Sequence, residues 1–309
     1  MRFKKLDLNL LVALDHLLNL QSISRAAEEM NMSQSAMSNA LTRLRDYFGD
    51  PLLVQVGRHM EPTPRAEAMR HSVKDILVRV EAAISSDLDF DPAHSTREFR
   101  ILVSDYSMTT LMPRVFALAD AEGARVRFSL IPQMDSPYLA IERGEADILI
   151  TPTMFTSVDH PSELLFEDAF VCVAWSGGKY GRQPLSELQY RDARHLRMVP
   201  PRSTTSFETE FLKTRGIERD TVVVCYSFAA LPHLVVGTNY LATVHGLLAK
   251  SAAAALPITL HKLPFEAPAL DQRVQWHVHK GQDPGIKWLK RLMHQAAGEL
   301  QPLRDQSIS

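Results

Sequence analysis

Residues 25–48, RAAEEMNMSQSAMSNALTRLRDYF, hold two helical patterns separated by a short polar turn. Ser24 stands where it can cap a short first helix containing Ala26, Ala27 and Met30, and the alanine pair lets another helix approach closely. Asn31 and Met32 form the turn, and Ser33 caps the second helix. In that helix Ala36, Met37, Ala40, Leu41, Leu44, Tyr47 and Phe48 share one apolar face. Gln34, Ser35, Ser38, Asn39, Thr42 and Arg43 occupy its start and its opposite side. Two packed helices with a polar outer face give this pattern, and so does a helix-turn-helix whose second helix enters a major groove. The residue types suit the second reading. Gln and Asn pair bidentately with adenine edges, Arg with guanine, and Ser with phosphate or base, while the helix N-terminus itself attracts phosphate.

The adjoining segment strengthens the groove reading. DPLLVQVGRHMEPTPRA, residues 50–66, holds two short extended runs around Gly57-Arg58, as in a β-wing with a basic tip beside the phosphate backbone. Charge alone would not have suggested DNA. Over residues 1–80, eleven Lys and Arg face nine Asp and Glu, and the whole chain carries a net charge of −2, too little to draw a polyanion by itself.

Working outward, residues 65–88 form one long helical pattern with Met69, Val73, Ile76, Val80 and Ile84 in a single stripe. Such a stripe packs either on its own domain or on the same helix of a second subunit, and the position between two domains favours the second subunit. SSDLDFDPAHST, with Pro92, reads as a hinge. From Arg97 strands and helices alternate. REFRILVS, ARVRFSLI and ADILIT are strands, with helices over MTTLMPRVFALADAE and SPYLAIERGE. LLFEDAFVCVAW, HLRMVPP, TVVVCYSF and YLATV supply a second sheet, with helices at 207–215, 229–237 and 247–255; QRVQWHVHK is a strand and 284–300 a helix. Apolar strands separated by helices predict βαβ units, parallel sheets and two α/β lobes with a ligand cleft between them.

With 309 residues, 45% of them hydrophobic and 23% charged, the chain is long enough for two or three domains with real cores. Its apolar runs fall short of the ~20 residues of a membrane helix. The amino terminus starts basic and turns apolar, but Asp7, Asn9, Asp15 and His16 interrupt it and no cleavage pattern succeeds it, so it reads as the first helix of a cytoplasmic protein. Cys172 and Cys225, 53 positions apart in strand-like runs, form neither a disulfide framework nor a metal motif. His277 and His279 alternate on one expected strand with no third metal ligand at a recognised spacing. No nucleophilic triad, phosphate loop or carboxylate pair supports catalysis, and no cofactor motif occurs.

The register from Ser22 to Gln55, the PTPRA after the wing, the long helix and GEADILI together resemble LysR-type transcriptional regulators over essentially the full length. That resemblance implies an α+β multidomain chain with an N-terminal winged helix-turn-helix over 1–64 and a dimerising linker helix over 65–89. It also implies a hinge over 90–96 and a two-lobed effector domain like periplasmic binding proteins, one lobe from 97–168 with 264–303 and the other from 169–263. It implies double-stranded promoter DNA, a small effector, self-association as a dimer or tetramer, and RNA polymerase as partners. DNA contact falls on Ser33, Gln34, Ser35, Ser38, Asn39, Arg43, Arg58, Pro64 and Arg65. Ser35 stands where many members have proline, and Thr63-Pro64-Arg65-Ala66-Glu67 where many have an Ala-Gly pair. These departures, with MRFKKLDLNLLVALD, Trp276-His277 and DPGIKWLKRLM, resemble the branch of nodulation regulators and regulators of chlorinated-aromatic catabolism. An aromatic inducer and an activator role are the expectation.

Effector contact is expected from strand ends and helix starts facing the cleft: Ser104 and Tyr106, then Thr151 and Thr153, from the first lobe. By the family pattern Arg202, Ser203 and Thr204 join them from the second lobe, with Phe228 and His245 at further strand ends. A rival reading is a small-molecule binding protein whose N-terminal helices serve only oligomerisation; an enzyme fits least.

Overall fold

The computed structural model describes residues 6–57, 59–84, 90–134, 136–200 and 206–300, without the side chains of 81–84. It divides into two compact units. In the first, α1 (Leu8–Leu20), α2 (Ile23–Glu29) and α3 (Gln34–Phe48) are followed by β1 (Leu53–Val56), β2 (His59–Pro62) and α4 (Pro64–Ile84).

Each helix start is set by a capping side chain. Asp7 accepts from the Leu10 amide, Ser22 from Arg25, and Ser33 from Ala36. The cap of α2 is therefore Ser22 and not Ser24, because the helix begins earlier than the alanine pair suggested, at Ile23. Asn31 takes φ 51° in the turn, a left-handed conformation that asparagine tolerates. Leu10, Leu14 and Leu17 of α1 pack with Ala26 and Ala27 of α2 and with Met37, Leu41 and Leu44 of α3 in one closed core. Burying each of the large side chains among these is worth about 1.5–3 kcal/mol. Helix α3 ends at Gly49, whose φ of 61° allows its amide to reach the Arg45 carbonyl at 2.8 Å.

Helix α4 corrects part of the stripe argument. Val73 is buried, and Met69 and Leu77 pack on the same core, which α1 brings to them. Asp15 of α1 reinforces the pairing through Lys74 at 3.0 Å. A neighbour distant in sequence thus covers the first turns, while Ile76 stays 43% exposed; the Ile84 side chain lies outside the described residues.

The second unit contains two five-stranded sheets. Its elements in order are β3 (Glu98–Val103), α5 (Asp105–Thr110), α6 (Met112–Ala121), β4 (Arg127–Pro132), α7 (Tyr138–Glu142), β5 (Ile148–Pro152), β6 (Ser162–Asp168), β7 (Phe170–Trp175) and α8 (Glu187–Asp192). They continue with β8 (Arg194–Met198), α9 (Phe207–Thr214), β9 (Asp220–Cys225), α10 (Leu231–Leu234), β10 (Tyr240–His245), α11 (Gly246–Ala253), β11 (Ile258–Lys262), β12 (Leu270–Gln275) and α12 (Pro284–Gly298). One sheet has the order β4-β3-β5-β12-β6 and the other β11-β7-β10-β8-β9. The chain crosses between them after β6 and returns before β12.

Neither sheet is wholly parallel. β3, β4 and β5 run parallel, as do β8, β9 and β10, but β12 lies antiparallel between β5 and β6, and β7 antiparallel between β10 and β11. The crossings cause this, since a strand entering from the other lobe has no helix to carry it round to the parallel direction. The apolar run LLFEDAFVCVAW accordingly divides into β6 and β7, in different sheets. At the divide Asp168 turns its Oδ1 to accept from the Ala169 amide at 2.8 Å. QRVQWHVHK ends as a strand at Gln275, and His277 caps a 3-10 turn through the His279 amide. The expected helix at 108–122 breaks at Leu111, ahead of Pro113.

Candidate functional site

Two surfaces hold the expected residues. On the first unit, Ser33 spends its Oγ on the Ala36 amide at 3.2 Å and lies 3.0 Å from the Ser35 Oγ. Gln34, Ser35 and Asn39 are exposed and Ser38 is half-buried. Neither the Gln34 nor the Asn39 side chain makes a hydrogen bond among the described residues, so each has its full side-chain donor and acceptor set open to a base edge. Arg43 differs. It is exposed but bonded to Asp7 at 3.0 Å, and the same carboxylate caps α1, which with Arg43 holds Asp7 below the usual carboxylate range. Contact of Arg43 with a base therefore means giving up Asp7.

The wing is braced from behind. Arg45 donates to the carbonyls of Pro51 and Leu53 at 2.7 and 2.8 Å. Asp50 accepts from the Thr63 hydroxyl and the Leu52 amide, at 2.7 and 2.8 Å, and these two bonds keep it anionic at lower pH than a free aspartate. The start and end of the hairpin are thus fixed to each other, with Val56 paired to His59 at its tip. Thr63 also caps α4 through the Ala66 amide, which leaves Arg65 exposed at that helix start beside Pro64. Arg58 lies outside the described residues.

The second surface is a cavity of about 790 Å³ where the strand ends of the two sheets meet. Ser104, Phe228 and His245 line it. Ser104 spends its Oγ capping α5 through the Ser107 amide, at 3.3 Å. Arg202, Ser203 and Thr204 lie outside the described residues. The other three expected residues are not in its wall. Tyr106 is fully buried behind it, its hydroxyl donating to Asp168 Oδ2 at 2.6 Å and its ring stacked on His245 with centroids 3.9 Å apart. Tyr106 therefore ties α5 of one sheet's lobe to the strand crossing and to β10, and has no free hydroxyl for a ligand. Thr151 is enclosed within β5. Thr153 is exposed and bonded to Asp271.

Sequence reasoning missed most of the wall. Met108, Met134, Met154, Phe155, Phe170 and Tyr226 give it an apolar, sulfur-rich surface, and Asp105, Gln133, Glu208 and Gln272 place polar groups in it. Glu208 is paired behind the wall with buried Arg219. Asp105 accepts from the Ser227 hydroxyl and the Ala229 amide, joining α5 to the opposite lobe. The usable signal was a glutamine on the apolar face of a strand: Gln272 alternates with Leu270 and Val274.

Burial sets the ionisation here. It lowers the His245 imidazole to about 3 and raises the Asp168 carboxyl, and it raises the Tyr106 phenol well above its ordinary value with the Asp168 charge adding to the effect. Among the described residues no group of side chains is arranged to hold a metal ion, although the His160 ring lies 4.7 Å from that of His277 and completes a histidine cluster with His279 that spacing did not show. No helix among them is long and apolar enough to cross a membrane.

Comparison with known proteins gives a family match for each of the two regions. Residues 8–67 match the bacterial regulatory helix-turn-helix protein, lysR family, and residues 92–298 the LysR substrate binding domain. The chain is 36% identical over 301 residues to nodulation protein D 1 of Mesorhizobium japonicum, covering 97% of this chain and 96% of that one. To nodulation protein D 1 of Sinorhizobium fredii it is 38% identical over 302 residues, covering 97% and 94%. Full-length OxyR of Pseudomonas aeruginosa, in a variant form, superposes with a TM-score of 0.75 over 96% of this chain and 99% of that one; at 16% identity the likeness is of fold.

Proposed function

Since the chain belongs to the LysR family of DNA-binding transcriptional regulators, we propose that it is an activator switched by a small aromatic effector bound in the cavity of its second unit. The genes it serves would be a cluster answering a chlorinated phenol or a flavonoid. The carrying observation is the wall of that cavity, apolar and aromatic with a few polar groups, in a volume within the range of small-molecule sites.

In this reading residues 1–64 hold the promoter. Gln34, Ser35 and Asn39 read bases, Ser33 and Ser38 stand at the groove edge, and Arg58, Pro64 and Arg65 meet the phosphate backbone. Arg43 exchanges Asp7 for DNA. Residues 65–89 pair two chains, and the lobes of 97–168 with 264–303 and of 169–263 close on the effector, with Ser104, Phe228 and His245 in the wall; the family resemblance adds Arg202, Ser203 and Thr204 as effector contacts. An effector shifts the regulator only by binding one lobe arrangement better than another, and the altered promoter complex then engages RNA polymerase.

The test is a thermal-shift screen of phenolic, chlorinated and flavonoid compounds against the full-length protein, with promoter binding then measured for each hit. A hit raises the melting temperature by mass action and changes the DNA footprint. A screen with no aromatic hit, or hits that leave the footprint unaltered, refutes the effector reading.

A further inference from the structure

Strand β12 carries a residue that its surroundings do not explain. Its inward face holds Leu270 and Val274, both fully buried, and between them Gln272, 2% exposed. An apolar side chain would fill that position. The amide instead lines the cavity with its Oε1 buried and without a hydrogen-bond partner. His245, in the opposite lobe, shares that circumstance: it lines the cavity, is 4% exposed, and has an unpartnered buried Nδ1. Its ring is fixed between the stacked Tyr106 and the edge-on Phe228, with centroids 3.9 and 4.5 Å away. Such unmade bonds cost folding free energy, and a ligand that supplies the partner recovers it.

We propose that Gln272 and His245 are the residues by which the cavity recognises its ligand, and that the group recognised is an uncharged hydroxyl on an aromatic skeleton. The proposal rests on the cavity being the effector site. The terminal torsion of a glutamine has broad minima, so the Gln272 amide turns its oxygen to a hydroxyl donor at little torsional cost. The His245 imidazole is uncharged and offers a neutral partner rather than a cation. A carboxylate is disfavoured. Asp105 already lines the wall, and its carboxylate has acceptors only, which a second carboxylate cannot pair with.

The experiment uses full-length protein and three matched probes: 4-hydroxybiphenyl, 4-methoxybiphenyl and biphenyl-4-carboxylate. Calorimetry is expected to give the hydroxyl compound about 10-fold or more tighter binding than the ether or the acid, the scale of one hydrogen bond to a buried group. Gln272→Leu, or Gln272→Met if the branched side chain does not fit, is expected to erase that preference while raising the melting temperature of the ligand-free protein by about 2–4 °C. Equal binding of hydroxyl and ether by the wild type, or a preference that survives in both variants, overturns the recognition role and leaves the cavity as an aromatic site. Tightest binding of the carboxylate also overturns it. Binding of none of the three removes both readings.

Discussion

Asp105 and Ser227 meet across the cavity, the serine hydroxyl donating to Asp105 Oδ2 at 2.8 Å, and the same oxygen takes the Ala229 amide at 2.9 Å. Asp105 opens α5 in one lobe, while Ser227 lies just past β9 in the other. Asp105→Ala removes both bonds and leaves the Ala229 amide without its acceptor. The expected cost is about 1–2 kcal/mol in urea unfolding, reduced from the buried limit because both bonds are only half-buried. Asp105→Asn keeps one acceptor oxygen and should lose less. Equal loss in the two variants would mean the carboxylate charge, not the paired bonds, joins the lobes.

Acid should weaken the second unit through its buried histidines. Burial lowers His195 to about 4 and His245 to about 3. Both are neutral in the fold, whereas the unfolded chain protonates them near pH ~6.5. The unfolded state therefore binds more protons below that pH, and stability present above it is lost as pH falls toward the folded values. Each histidine contributes a slope of about 1.4 kcal/mol per pH unit in that window. Melting temperatures of the wild type and of His195→Gln between about pH 7 and 5 check this, since that interval spans the unfolded value. The variant should show the shallower fall.

These features were not equally legible. The helix-turn-helix was, because Ala26, Ala27, Met37, Leu41 and Leu44 repeat at helical spacing, and they are the buried set. The wing was legible from turn chemistry around Gly57. The cavity was only half legible. Strand ends named Ser104, Phe228 and His245, but whether a side chain faces inward or lies behind the wall depends on the crossing between sheets. Tyr106 illustrates this. Its hydroxyl found Asp168, 62 positions away, at the point where one apolar run divides into two strands. Long-range pairing of that kind has no local periodicity to betray it. Gln272 shares a face with Leu270 and Val274 by alternation, but that places it in a buried wall only once that face of the sheet is known to be covered.

DNA recognition separates two roles on the first unit. Gln34, exposed and unbonded, is expected to read a base, so Gln34→Ala should cost about 1–3 kcal/mol on the specific site and little on random sequence. Arg65, exposed at the start of α4, is expected to meet phosphate. Arg65→Ala should weaken both DNAs alike and reduce the salt dependence by about one counterion. Gel-shift titrations at several salt concentrations distinguish them. Uniform weakening by Gln34→Ala would remove its base-reading role.

The apolar stripe of α4 packs on its own domain at one end and is expected to meet a second chain further along. Val73 and Met69 are occupied by the core that α1 provides, so substitutions there damage the domain itself. Ile76, further along the helix and 43% exposed, is free of that duty. Its apolar surface is available to another chain. Ile76→Glu should therefore leave the melting of the first unit nearly unchanged while raising the dissociation constant of the self-associated form by about 10-fold or more, because a charge would be buried at the seam. Sedimentation velocity over a dilution series measures the association, and circular dichroism the fold. If Ile76→Glu associates like the wild type while Val73→Glu unfolds, α4 serves its own domain alone, and the chains must join elsewhere.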